Sequence, residues 1–119
     1  MSPRLDDIYA ILRGWAIAKT IDTYTSLSHA YKARTGDWFE PHGTWDAPLG
    51  ELNRRLQSRI HAPALSALVV LKSGGEPGGL FWGCAPNVPA RPSTDIQRLA
   101  EWSKIVATVH AFPWPRALP

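Results

Sequence analysis

A chain of 119 residues, 45% apolar and 19% charged, is long enough to bury one core without disulfides or a structural metal and too apolar to remain disordered. Its single cysteine, Cys84, excludes an internal disulfide and a cysteine zinc site, and no apolar run nears the roughly 20 residues of a membrane span. The formal charge of +3 admits polyanionic partners without requiring them, so the placement of the charge matters more than its total.

Asp6 and Asp7 stand where a signal peptide would be basic and then apolar. With one cysteine, a reducing cytoplasm is the expected compartment, with no membrane partner and no cofactor.

Ser2 and Pro3 form a helix-start signal, and Leu5, Ile8, Ile11, Leu12 and Trp15 follow at helical spacing, predicting an amphipathic helix over 3–19. Asp22 or Thr23 caps a second helix that carries Tyr24, Leu27, Ala30 and Tyr31 and ends near Gly36. Residues 37–46 have no period, but Trp38, Phe39 and Trp45 make an ordered loop the expectation. Asp46 is expected to cap a third helix with Pro48 in its first turn, a buried stripe of Leu49, Leu52, Leu56 and Ile60, and a bound at Pro63.

Leu65–Leu71 and Leu80–Trp82 are rich in β-formers, and the glycines between them supply positive-φ positions, so the pair predicts an antiparallel hairpin. Three prolines make 85–93 an extended connector. Thr94 and Gln97 fit a capping box, and Ile96, Leu99, Trp102, Val106 and Val109 continue as a helix over about 94–110, although 105–112 could equally form a strand. The tail, 113–119, is expected to be irregular.

Helix, helix, helix, strand, glycine-rich turn, strand is the order of a winged helix. The expected fold class is therefore α+β: one winged-helix-like domain over 1–119, with its core in 3–84, three helices, a two-stranded hairpin wing and a C-terminal helix.

Thr23-Tyr24, Pro48-Leu49-Gly50, Leu68-Val69-Val70 and Gly78-Gly79 resemble the DNA-binding C-terminal domain of the O6-alkylguanine alkyltransferases and alkyltransferase-like proteins. The resemblance implies a helix-turn-helix scaffold opened by Tyr24 and Gly50. It carries over no repair chemistry, because Ala47 stands in place of the family's base-displacing arginine and Ser66 in place of its alkyl-accepting cysteine, with Ala67 and Leu68 replacing the His-Arg that follows. Residues 23–82 are also similar to small bacterial and mobile-element proteins that share a Pro-Leu-Gly helix start, a Leu-Ser/Thr-x-Leu-Val-Val strand and a Pro-Gly-x-x-Phe turn. That similarity implies no function.

Between Leu49 and Lys72, Arg54, Arg55, Arg59 and Lys72 stand against Glu51, an excess equal to that of the whole chain. Duplex DNA is the expected partner, its phosphates held by Arg54, Arg55, Arg59, Ser58, Lys72 and Tyr24, with no catalytic residue. An i, i+4 pair between Glu51 and Arg55 on a solvated face is the bland alternative. Asn53 and Gln57, the only amides on this helix, make base readout a lesser expectation.

A different class of function is a protein-binding adaptor or mobile-element inhibitor that docks through Trp38, Trp45 and Trp82. Asp37, Glu40, His42 and Asp46 crowd one loop, as a metal-dependent nuclease would require, but their spacing matches no metal motif and no metal site is expected. The turn 74–79 lacks the Gly-Lys-Ser/Thr ending of a phosphate-binding loop.

Overall fold

The computed structural model describes residues 3–41 and 44–119. The proposed cap Ser2 and the loop residue His42 lie outside them.

Helix α1, Leu5–Ala18, buries Ile8 and Leu12 of the expected stripe, with Leu5, Ile11 and Trp15 half-buried against the same core and Tyr9 and Ala16 buried beside them. Asp7 in its first turn meets Arg4 at 2.7 Å and Arg34 at 2.8 Å, tying α1 to the second helix. Helix α2, Tyr24–Thr35, is capped by Thr23, whose hydroxyl accepts the Ser26 N–H, and ends at Gly36 with φ of 83°. Asp22, the other candidate cap, instead accepts the Thr23 N–H.

Helix α3, Asp46–Ile60, buries Leu49, Leu52 and Leu56 as expected. Asp46 is not its cap: Trp45 occupies that position, and Asp46 lies in the first turn, where its charge suits the helix dipole. The Trp45 indole N–H donates to Ser28 Oγ at 2.8 Å, anchoring the start of α3 on α2.

The hairpin expectation fails. Leu65–Leu68 winds into a 3-10 turn, and only β2, Val69–Val70, is extended. It pairs in parallel with β1, Asp22–Thr23, in the register Asp22 to Val69 and Thr23 to Val70. Residues 64–70 are buried throughout, and a run buried on every side has no alternation by which periodicity could separate strand from turn. Gly79–Phe81 is a second 3-10 turn rather than a strand. Tyr24 Oη takes the Gly78 N–H, and the Phe81 N–H folds back onto the Gly78 carbonyl, so this segment offers no ladder.

Helix α4, Asp95–Ala111, is helical throughout, which settles 105–111 as helix. Thr94 caps it through the Gln97 N–H, while the Gln97 side chain turns to Ser93 and leaves the capping box half made. Its buried side is the expected one in its later part, where Trp102, Val106 and Val109 pack inward, but not at its start. Arg98, Trp102, Ile105 and Val109 face the protein, whereas Ile96 is 82% and Leu99 59% exposed.

The main core joins α1, α2 and α3 to Leu65, Leu68 and Val69, and it also takes Val109 and Trp114 from beyond the expected limit of residue 84. The tail has no regular structure but is docked: the Trp114 indole donates to the Val109 carbonyl at 2.8 Å and the Tyr9 hydroxyl to the Pro115 carbonyl at 2.5 Å. The described residues form an α+β globule of four α-helices and one small parallel sheet, and no described helix is long and apolar enough to cross a membrane.

Candidate nucleic-acid interface

At about 100° per residue, Arg54 projects about 100° from Arg55 and about 140° from Arg59 around α3. The three arginines therefore occupy opposite flanks of the exposed face, with Ser58 between them. Arg54 arches over Gly50 and donates from Nη1 to the Cys84 carbonyl at 3.0 Å. Arg55 is half-buried and donates from Nε to the Pro119 carbonyl at 2.9 Å, so it anchors the tail and forms no ion pair with Glu51 among the described residues. Arg59 and Ser58 are exposed. The expected single arginine face is thus divided, and Arg55 is engaged elsewhere.

Lys72 and Tyr24 are brought together. An open cleft of about 510 Å³ lies between the first turn of α2, the first turn of α3 and the loop 71–79. Tyr24, Asp46 and Lys72 line it, and Trp45 and Pro41 give it an apolar wall. Tyr24 and Asp46 also line the adjoining hollow, with Gly50 and Cys84, and Arg54 bonds the Cys84 carbonyl there. One surface therefore runs from Lys72 past Tyr24 and Asp46 to Arg54.

Tyr24 is built into this surface. Its oxygen accepts the Gly78 N–H at 3.0 Å, and a Cβ at Gly78 would sit 3.0 Å from that oxygen, which would have to give by a few tenths of an ångström. Burial pushes the phenol up, the Gly78 N–H opposes this, and the nearby Asp46 carboxylate adds to the rise. Tyr24 therefore keeps its proton at neutral pH and can donate it. Burial also raises the carboxyl of Asp46. Its position in the cleft was not foreseen, because an acid preceding a helix reads as a cap.

Cys84 is held as a thiol, raised by burial against the pull of the Asn53 hydrogen bond and of Arg54. Asn53 is 1% exposed and reads no base. It bridges α3 to the 3-10 turn instead: Oδ1 accepts the Ser66 N–H at 3.2 Å, and Nδ2 donates to Ser66 Oγ at 2.6 Å. Ser66, at the position that the alkyltransferase resemblance assigns to the reactive cysteine, is thus part of a buried structural pair.

The aromatic docking surface is not assembled. Trp45 is fully buried and Trp82 is 9% exposed against Phe81, because each fills space at a core edge. Only Trp38 is open, 47% exposed and tilted over His29. Among the described residues no three His, Cys, Asp or Glu side chains gather to hold a metal, so Asp37, Glu40 and Asp46 form no such set. The chain matches no protein-family model, no curated protein and no solved structure.

Proposed function

We propose that this is a non-enzymatic domain of the cytoplasm that holds duplex DNA by its phosphate backbone through a helix and the neighbouring loop. Arg54 and Lys72 are the central contacts, with Ser58 and Arg59 farther round α3 and the protonated Tyr24 in the cleft. The observation that carries this reading is the continuous surface on which Lys72 and Arg54 flank Tyr24. Two cations along one surface, Lys72 in the cleft and Arg54 beside the adjoining hollow, suit phosphates of a strand lying across it, and each neutralised phosphate releases a counterion. Titration of duplex DNA at two salt concentrations tests it. Binding that weakens steeply with salt is expected, and either no binding at low salt or affinity indifferent to salt overturns it.

A protein partner is the second reading, and its support has moved from the tryptophans to Ile96 and Leu99, which α4 leaves in solvent. It requires that a protein captured on the wild-type chain be lost from Ile96→Asp and Leu99→Asp variants that still bind DNA. Retention by both variants removes it.

A further inference from the structure

The loop 71–79 carries Lys72 and walls one side of the cleft, and it is held at two points. On one side Tyr24 Oη accepts the Gly78 N–H. On the other, Glu76 Oε1 lies 3.6 Å from Arg98 Nε on α4. Within the loop, the Leu71 N–H donates to the Glu76 carbonyl at 2.8 Å and the Gly75 N–H to the Leu71 carbonyl at 3.2 Å. The backbone of Glu76 thus closes the turn that presents Lys72, and its side chain ties that closure to α4.

Arg98 is an unexpected residue for its place. It is 9% exposed on the buried side of an amphipathic helix, where an apolar side chain would pack without cost. A guanidinium there must be paired to be tolerated. It donates to the Pro92 carbonyl at 3.1 Å and to the Asp95 carboxylate, both at the start of its own helix, and these contacts orient it. Nε has no hydrogen bond and is left to Glu76, the one acid that reaches it from another element among the described residues.

We propose that Arg98 is a positioning residue for the DNA interface. Through Glu76 it holds the loop 71–79 so that Lys72 stays in the wall of the cleft. This rests on the nucleic-acid reading above. Gly74 and Gly75, at φ of 91° and 66°, give the loop the freedom to rearrange once the tie is cut, and Lys72 then loses its place without being altered.

The test uses Glu76→Gln in the full chain, since Glu76 is partly exposed whereas a truncated Arg98 could unfold the domain. By charge alone, removing an acid tightens DNA binding. The tie requires the reverse: Glu76→Gln weakens low-salt affinity by roughly five-fold, about as much as Lys72→Met, and lowers the salt slope by about one phosphate. The double variant is no weaker than either single variant, and Arg98→Lys, which keeps the charge, falls between Glu76→Gln and the wild type. Amide hydrogen exchange at Leu71 and Gly75 accelerates in Glu76→Gln. Tighter binding, additive losses with Lys72→Met, or unchanged exchange each overturn the proposal. If the wild type binds no DNA, the functional reading falls by itself. Accelerated exchange would then uphold the tie alone, and unchanged exchange would end it as well.

Discussion

Helices α1 and α4 are both amphipathic by spacing, but α1 packs its whole expected stripe against the core, whereas α4 packs Trp102, Val106 and Val109 and leaves Ile96 and Leu99 outside. In α1 the inward Ile8, Leu12 and Ala16 are apolar and the inward Tyr9 hydroxyl is met by the Pro115 carbonyl of the docked tail, so the widest apolar arc turns to the core. In α4 two polar groups decide. The Trp102 indole donates to the Ala67 carbonyl at 2.8 Å, and Arg98 is bound to Pro92, Asp95 and Glu76, which fixes the rotation and leaves Ile96 and Leu99 in water. Hydrophobic spacing establishes that a helix forms, whereas a few directional bonds choose the face it buries.

The contrast can be broken by mutation. Leu12→Ala, at a fully buried α1 position, is expected to cost about 2–5 kcal/mol in urea denaturation, and a loss under 1 kcal/mol would deny α1 its place in the core. Trp102→Phe keeps most of the ring but deletes the bond to Ala67, for an expected loss of about 1–3 kcal/mol. Increased burial of Leu99 in that variant would show that the indole bond alone sets the rotation of α4.

Asp46→Asn has a smaller effect with a definite sign. The folded carboxyl is raised above its ordinary 3.8 by burial, so the folded state binds this proton more tightly than the unfolded state. The contribution of Asp46 to stability therefore falls as pH rises from 3.8 through the folded value, and is flat above it. The difference in urea midpoint between variant and wild type should move in favour of Asn across that window, and DNA affinity should rise because a negative charge leaves the cleft. A difference that is flat with pH would contradict the assigned burial. Smallest of all, Leu99→Ala is expected to change stability by at most about 0.5 kcal/mol, because its side chain already faces solvent.

The same distinction explains what could be read in the sequence. Thr23, Gly36 and Thr94 mark helix ends by local chemistry, and all three mark them in the structure. The stripe of α3 was equally legible. The segment 64–70 was not, because complete burial erases alternation, and the pairing of Val69–Val70 with Asp22–Thr23 joins segments that no local pattern connects. Of the expected DNA contacts, Tyr24 and Lys72 converge on one cleft, while Arg54 and Arg55 are turned apart by single acceptors, the carbonyls of Cys84 and Pro119. Asp46, Glu76 and Arg98 were missed as parts of the site, since an acid or arginine whose partner lies far along the chain looks like a solvated charge.

The proposed DNA contact rests on Lys72 in the cleft and Arg54 beside the adjoining hollow each holding a phosphate. The dependence of duplex DNA affinity on salt, measured for the wild type and for Arg54→Met with Lys72→Met, tests it most directly. The account predicts that the slope of log affinity against log salt becomes shallower by about two in the double variant. A slope equal to that of the wild type would place the binding surface elsewhere and contradict it.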